Sequence, residues 1–312
     1  MTAVTRNDLN ANVLQTWLRR QTLKVFEPNL RFLQMGEAPM IDDGYQTLAW
    51  AKFDQIAASA VTAGTTSNDG VTPSDTDFDG TITSLTPLQY RVVVNLSDMV
   101  IERNVINFLQ GASNAVGKAL ARRIDQVVQT TIMAGTNVKY AGTGNTTRAG
   151  LAAGDNLTVD LFNFASSFLD QQDADKYEMD AYVAVIHPYQ QYDLRASTAA
   201  GSWIDLHKYP GDQKLFNGEI GMLHGVRVVK SSHVQTFAST VTVYPCLVFG
   251  AASYGVGKAQ NIQVYLTPNV ASDSDPLAQR RKTGAKVAFG TLILQQAGMM
   301  RVESAATAVI TD

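Results

Sequence analysis

The side chains best suited to acid–base or metal chemistry are few in this sequence, and they are widely spaced. Its histidines are His187, His207, His224 and His233. No two of them form the i, i+4 pair or the Cys/His spacing that a zinc site requires. His187 precedes Pro188, a pattern typical of a strand end or a helix cap. We therefore predict neither a metal centre nor a catalytic histidine.

The single cysteine, Cys246, lies inside the apolar run 243–249 and cannot form an internal disulfide. We predict a buried and inert thiol, because a nucleophile would need a base close in space. The sequence also lacks a Gly-x-Ser-x-Gly elbow, a phosphate-binding Gly-Lys-Ser/Thr loop and a Gly-x-Gly-x-x-Gly turn. Asp173 and Asp175 lie in a polar run and require no catalytic explanation.

One stretch resembles a calcium loop. Residues 75–82 follow the first eight positions of an EF-hand loop, with Gly80 at position six. The match fails at position twelve, where Thr86 replaces the bidentate glutamate, and neither flank has a helical pattern. We predict a polar turn rich in Asp and Gly, with a weak surface cation site as the alternative.

The composition excludes several classes of protein. The chain has 312 residues, of which 45% are hydrophobic and 17% are charged, with a net charge of -3. This excludes a wholly disordered chain, a disulfide-stapled miniprotein and a collagen-like fibre. The low fraction of charged residues suggests a surface that is partly covered by other chains. The net charge gives no sign of a nucleic-acid binder, but a negative net charge does not exclude a local basic surface. No apolar segment has the length of a signal peptide core or a membrane helix, so we expect a soluble, intracellular product without a membrane partner.

The first hundred residues contain little that could form a core of its own. Residues 8–26 show helical spacing, and the following segment to Gly44 reads as an extended arm that must find partners elsewhere. Residues 45–61 and 85–96 both look like strands, and they flank a polar tip at 62–84. Because a two-stranded hairpin is marginal in water, we expect it to pack outside its own domain.

The strongest helical pattern follows, from Val105 to Ile132, with Gly135 placed as a C-cap. Its other side carries Lys118, Arg122 and Arg123. These residues form either a solvated face or a basic strip that faces a polyanion.

Short strands and helices alternate in the remainder. We predict strands at 181–187, 225–230, 240–249 and 262–266, helices at 158–169 and 189–196, a polar loop at 268–284 and a β-rich stretch at 286–302.

This order of arm, hairpin, long helix and mixed remainder resembles the major capsid proteins of the HK97 fold. The segment Asp69-Gly70-Val71-Thr72-Pro73 is similar to the Glu-Gly-Val-Thr-Pro of the N4-type (N4 gp56-like) major capsid proteins. Further similar motifs follow in family order: Leu96-Ser97-Asp98, Val185-Ile186-His187-Pro188 with Asp193-Leu194-Arg195, Asn217-Gly218-Glu219-Ile220-Gly221, Gly225-Val226-Arg227-Val228-Val229, and Leu247-Val248-Phe249-Gly250 with Tyr254-Gly255-Val256.

The resemblance implies an α+β chain with the HK97-like capsid fold. Residues 1–44 would form the N-terminal arm, and 45–98 the E-loop hairpin that reaches over a neighbouring subunit. Residues 99–149 would form the peripheral domain with its long spine helix, 150–255 the axial domain, and 256–312 the strands that return to the peripheral domain together with a loop.

The implied function is that of a major capsid protein, with no enzymatic activity and no cofactor. Pentamers and hexamers of the chain would form the icosahedral head of a tailed bacteriophage around double-stranded DNA, in the virion, after synthesis in the bacterial cytoplasm. Scaffolding, portal and decoration proteins would be further partners. The E-loop tip, Asp69, Gly70, Val71, Thr72 and Pro73, would contact the adjacent subunit.

Two basic groups are candidates for contact with the genome. One is Arg122 with Arg123, and the other is Arg280, Arg281 and Lys282, which are equally suited to pair with carboxylates of an adjacent capsomer. Two alternatives remain open at this stage. The first is an encapsulin-like compartment of the same fold, and the second is a soluble hydrolase, which would show a clustered His and carboxylate pair in a pocket.

Overall fold

We analysed a computed structural model of the chain. It describes residues 16, 17, 19, 20, 22, 31–42, 46–53, 80–97, 108–177, 180–196, 219–267, 276–277 and 279–307. The strands are β1 (Ile41–Asp42), β2 (Leu48–Phe53), β3 (Gly80–Leu85), β4 (Leu88–Ser97), β5 (Val138–Tyr140), β6 (Tyr182–Ile186), β7 (Glu219–Leu223), β8 (Val226–Lys230), β9 (Phe237–Ala238), β10 (Thr242–Phe249), β11 (Tyr254–Leu266), β12 (Arg280–Ile293) and β13 (Met299–Ser304). The longer helices are α1 (Phe108–Met133), α2 (Val159–Gln171) and α3 (Pro188–Ala196).

A mixed sheet with the order β5-β13-β10-β6-β8-β7 forms the centre of the subunit, and β9 pairs with β10. Alternate residues of its strands enter two hydrophobic clusters, since successive side chains of a strand point to opposite faces. One cluster contains Phe162 of α2 and Leu194 of α3, and the other contains Ile124 and Val128 of α1. This sandwich explains why every residue of β6 is buried.

A second sheet has the order β11-β12-β4 and packs against α1. Tyr90, Val92 and Val94 of β4 pack on the same cluster as Ala285 and Val287 of β12. The residues between them on β4 are exposed. The same alternation is present in the sequence, where Tyr90, Val92 and Val94 alternate with Arg91 and Val93.

The predicted long helix is present as α1, with an apolar stripe from Leu109 to Met133. Arg122 and Arg123 are exposed, as the pattern predicted. Gly135 lies at the predicted position just past the end of the helix. The helix ends at Met133, and Gly135 donates its N–H to Ile132 O at 3.0 Å, but it does not have the positive φ of a left-handed cap.

The predicted pairing of the hairpin was wrong. β2 pairs with β3, from Leu48 opposite Leu85 to Phe53 opposite Gly80, and thus with residues assigned to the polar tip. The strand predicted as its partner, β4, pairs instead with β12. The reason is geometric, since Thr86 and Pro87 separate the two strands and allow them to join different sheets.

The arm finds partners within its own subunit, contrary to expectation. Phe32 and Leu33 lie in the hydrophobic cluster of α1. The helical residue Thr22 is buried, and its hydroxyl lies 2.6 Å from that of Ser113 on α1. Through these contacts the described part of the arm packs against α1.

The C-terminal strands are longer than predicted. β11 begins at Tyr254, and the end of the predicted loop, from Arg280 to Gly284, belongs to β12. β13 joins the central sheet between β5 and β10. The domain boundaries given above remain predictions. Among the described helices, none is long and apolar enough to cross a membrane.

Candidate assembly surfaces

The buried carboxylate of Asp125 on α1 holds the main chain of the arm. Both of its oxygens accept the N–H of Arg31, at 3.2 and 3.1 Å, and the N–H groups of Phe32 and Leu33 are also directed at it. These N–H groups start the short 3-10 turn Phe32–Gln34, where a helix leaves donors without internal partners. Burial raises the pKa of Asp125 to about 6, although the N–H groups act in the opposite direction.

Two tyrosines complete this attachment. Tyr254 donates its hydroxyl hydrogen to Phe32 O at 2.7 Å, and Tyr177 donates to Met35 O at 2.6 Å. Burial raises the pKa of both phenols, so they remain donors at neutral pH. Next along the chain, Glu37 forms two backbone hydrogen bonds with β11, to Tyr254 O and from Val256 N.

The base of the β2–β3 hairpin sits on glycines of the second sheet. Trp50 is 2% exposed and lies against Gly255, where an added Cβ would come within 2.5 Å of the indole ring. In the same way, an added Cβ on Gly257 would come within 2.7 Å of Leu48, and one on Gly290 within 2.5 Å of Leu85. Because these glycines have no side chain, large side chains of β2 and β3 pack closely against the second sheet. This packing fixes the root of the hairpin.

The outer strand of the described part of the hairpin is open to solvent. Every residue of β3 from Gly80 to Ser84 is exposed, and Ile82 is 66% exposed. The hairpin tip, with the predicted contact residues Asp69, Gly70, Val71, Thr72 and Pro73, lies outside the described residues, and so does most of the calcium-loop resemblance.

The two predicted basic groups lie on different surfaces. Arg280 and Lys282 are exposed and face away from α1, while Arg281 is half-buried on the face toward it, because neighbouring residues of β12 alternate. Arg122 and Arg123 lie on the exposed side of α1, which packs against the other face of this sheet. The structure thus does not bring the five residues together.

The described histidines have structural surroundings. His187 accepts the N–H of Tyr189 through Nδ1 at 3.2 Å, which is the capping role expected for it, and burial lowers its pKa. Burial and then the charge of Arg122 lower the pKa of His233. His224 forms the tight turn between β7 and β8 with a φ of 45°. His207 lies outside the described residues.

The thiol of Cys246 is buried, as predicted, and burial raises its pKa, which disfavours the reactive thiolate. Within the described ranges, no group of three His, Cys, Asp or Glu residues is placed to hold a metal ion.

Sequence reasoning missed a buried ionic cluster on β13. The carboxylate of Glu303 is fully buried and accepts two hydrogen bonds from Arg148, at 2.6 and 2.7 Å. Arg301 Nε lies 2.9 Å from the same carboxylate, and the guanidinium of Arg148 also stacks 3.5 Å above the centre of the Phe237 ring. Nothing in the sequence signals it, because Arg148 is 155 residues from Glu303.

Comparisons of sequence and of structure with known proteins both find similarity to phage capsid proteins. The sequence model of a family described as phage capsid protein matches residues 80–302. The capsid protein of Ralstonia phage GP4 has a similar structure, with a TM-score of 0.70, 15% identity, and coverage of 91% of this chain and 93% of that chain. The capsid of cyanophage Pam1 gives a TM-score of 0.63 at 13% identity and covers 85% of this chain and 86% of that one.

A virus-like particle from Pyrococcus furiosus has a TM-score of 0.55 and 9% identity, with coverage of 93% of this chain and 99% of that chain. A search of curated protein sequences found no match.

At these identities the structural likeness establishes the fold, which is the HK97-like capsid fold. The family match establishes more, because it spans well over half of the chain and contains α1, the whole second sheet and all of the central sheet except the end of β13. The chain therefore belongs to the phage capsid protein family, and its role is that of a structural subunit of the virion shell.

Proposed function

We propose that the chain is an N4-type major capsid protein that forms the pentamers and hexamers of an icosahedral tailed-phage head. In this role it encloses double-stranded DNA, carries out no enzymatic reaction and needs no cofactor. Scaffolding, portal and decoration proteins are candidate partners in this role. The HK97-like fold and the match to the phage capsid family support the proposal.

The observation that carries the proposal is the asymmetry of the β2–β3 hairpin. Its root is fixed, because Leu48 and Trp50 are almost fully buried against the second sheet. Its outer strand is exposed along nearly its whole length. Since a hairpin without a core is marginal in water, burial on an adjacent subunit would stabilise it.

The hairpin tip then supplies the intersubunit contact through residues 69–73. The remainder of the chain divides into the peripheral domain, with α1, and the axial domain at 150–255, which would surround the symmetry axes of the capsomers. Many modest interfaces repeated around a closed shell give a stable particle through multivalency.

Removal of the hairpin tip tests this role. We would replace residues 56–77 with a short Gly-Ser turn, which leaves β2, β3 and the contacts of Trp50 and Leu85 in place. The variant should fold as a monomer, judged by circular dichroism and thermal unfolding, but should not form closed particles in electron micrographs. Particles at normal yield would contradict the role of the tip.

The unaltered chain, expressed with a scaffolding partner, is the positive control and tests the proposal as a whole. It should form closed shells, and monomers under all such conditions would contradict the shell function. An encapsulin-like compartment is less supported, since the family match is to phage capsids. The nucleic-acid content of particles purified from infected cells separates the two functions.

A further inference from the structure

Residues 31–40, which we call the arm segment, connect the β2–β3 hairpin to the second sheet. On one side, Glu37 forms two backbone hydrogen bonds with β11. On the other side, the carbonyl oxygen of Glu37 accepts the indole N–H of Trp50 at 3.2 Å, and Met40 donates its N–H to Ala49 O at 3.0 Å. The arm segment therefore lies between the root of the hairpin and β11, and it is hydrogen-bonded to both.

Close packing holds the arm segment against β11. An added Cβ on Gly36 would lie 2.5 Å from a methyl carbon of Val256 and 2.9 Å from the ring of Tyr254. The hydroxyl of the same tyrosine donates to Phe32 O at 2.7 Å. Displacement of the arm segment would thus break its own contacts with β11 and also the hydrogen bond that it accepts from Trp50.

Asp125 on α1 lies beneath the arm segment. It is 0% exposed, and its carboxylate faces the N–H groups at the start of the turn, from Arg31 to Leu33. Among the described residues, the titratable or charged groups that interact with it are Arg31 on the arm segment and Tyr254 on β11. Release of the arm segment would return this carboxylate to water.

The proton affinity of Asp125 therefore depends on whether the arm segment is in place. A carboxylate taken out of water binds a proton more tightly, and the N–H groups offset only part of this effect, so the pKa rises from 3.8 to about 6. The attached state thus takes up a proton that the released state gives up. Its stabilisation is fully present below pH 4 and is lost as the pH rises through 6.

Glu37 acts in the same direction with a smaller effect. Burial and then the charge of Asp175 raise its pKa, and Tyr177 is a further titratable group that faces it. Because the side chain of Glu37 is exposed, water screens these interactions. Asp125 is therefore the main proton site beneath the arm segment.

We propose that a proton on Asp125 controls the attachment of the arm segment, and through the arm segment the root of the β2–β3 hairpin. The attachment is firm when Asp125 is protonated and loosens when Asp125 is ionised, and the contacts of Trp50 loosen with it. This inference concerns the single subunit and goes beyond the proposed shell function, which uses the hairpin but does not require its root to respond to pH.

Hydrogen exchange of the full-length, unassembled subunit tests the proposal. Deuterium uptake of the arm segment, β2 and β6 would be measured by mass spectrometry from pH 5 to pH 8 and expressed as protection factors, which correct for the intrinsic effect of pH on exchange. The raised pKa predicts that protection of the arm segment falls about tenfold over this range, and that of β2 should fall with it.

The level of protection separates local release from global unfolding. If the arm segment and β2 open locally, their protection factors should be at least about tenfold below that of β6, which is buried in the central sheet. Equal protection of all three would mean that the subunit opens only as a whole, and this result would overturn the proposal. Protection of the arm segment that does not change with pH would also overturn it.

Asp125→Asn removes the titrating group but keeps an oxygen that can accept the N–H groups. In this variant the change in protection between pH 5 and pH 8 should shrink from about tenfold to less than about threefold. The matched control is Asp170→Asn, which neutralises a surface carboxylate paired with Lys176 and should leave the tenfold change intact. A tenfold change that persists in Asp125→Asn would exclude Asp125 as the proton site.

Gly36→Ala tests the connection to the hairpin by contact rather than by charge. The added methyl group would collide with Val256, so protection of the arm segment and of β2 should fall together at every pH. Gly111→Ala, which has open space around it, is the matched control and should change neither. Loss of protection in the arm segment alone, or in neither segment, would show that the hairpin root does not depend on the arm segment. Each of these results leaves the shell function untouched, since that function is tested by assembly.

Discussion

Asp125 is a single buried side chain on which the position of the arm depends. Its carboxylate accepts main-chain N–H groups of the turn at Phe32, and these donors would otherwise be buried without partners. Burial raises its pKa from 3.8 to about 6, so ionisation of Asp125 costs free energy in the folded subunit. The native state therefore binds this proton more tightly than the unfolded chain does.

This pKa predicts a specific pH dependence. Because the native pKa is raised, the contribution of Asp125 to stability is greatest below pH 4 and is lost as the pH rises through 6. The difference in unfolding free energy between the wild type and Asp125→Asn should change by about 2 kcal/mol from pH 4 to pH 7, in favour of the wild type at the acidic end. Urea denaturation of the monomeric subunit at several pH values measures it, and a constant difference would show that Asp125 does not titrate in this range.

Glu303 provides a second prediction at the scale of one residue. Glu303→Gln would leave Arg148 and Arg301 without their carboxylate partner, and we expect a loss of about 3 kcal/mol in unfolding free energy. The control is Asp170→Asn, whose partner Lys176 is at the surface, and which should cost less than about 1 kcal/mol. Equal effects of the two substitutions in thermal unfolding would contradict this account.

Neither carboxylate could be recognised from the sequence. The helical pattern predicted the buried stripe of α1 through Ile124 and Val128, but it gave no indication that Asp125 beside it is buried. Its partners are backbone N–H groups 94 residues away, and such groups leave no mark on residue types. Glu303 is similar, because Arg148 is 155 residues distant.

At the scale of elements, the root of the hairpin depends on space left by glycine. Gly255→Ala would place a methyl group within 2.5 Å of the Trp50 ring and should lower the unfolding free energy by about 1–3 kcal/mol, since the indole is packed and cannot retreat freely. Gly111→Ala, on the exposed side of α1 with open space around it, should be neutral or stabilise by up to about 1 kcal/mol. Thermal unfolding of the two monomers makes the comparison, and similar shifts would mean that the Trp50 contact is loose.

The elements show where sequence reasoning reaches its limit. Local periodicity predicted α1, β6, α3 and β4, because each pattern reflects burial on one side of an element. It did not predict which strand pairs with β2, since pairing depends on contacts between distant segments. The exposed β3 has no apolar alternation, so its residues were assigned to the hairpin tip. The resemblance to the family depended on the long helix and on motifs that follow the family order.

At the scale of the whole molecule, α1 and the second sheet pack together into a single unit, which has a basic surface on each side. Exposed Arg122 and Arg123 lie on one side, and Arg91, Lys282 and Lys286 lie on the other. In a closed shell only one side of such a layer can face the genome. Low overall charge is compatible with this arrangement, because the acidic segment between β2 and β3 offsets the basic layer within each chain.

This arrangement leads to a prediction about packaging. If the side of this layer that carries α1 faces the interior, Arg122 and Arg123 contact DNA, and that contact is independent of sequence because it goes to phosphates. Arg122→Gln with Arg123→Gln should then leave shell yield and morphology unchanged in electron micrographs, but the heads should retain less DNA when the salt concentration is raised. The matched variant Arg91→Gln with Lys286→Gln removes the same charge from the other side and should leave the retention of DNA unchanged. The opposite outcome, with normal assembly but lost DNA in the sheet variant, would reverse the orientation of the layer in the shell.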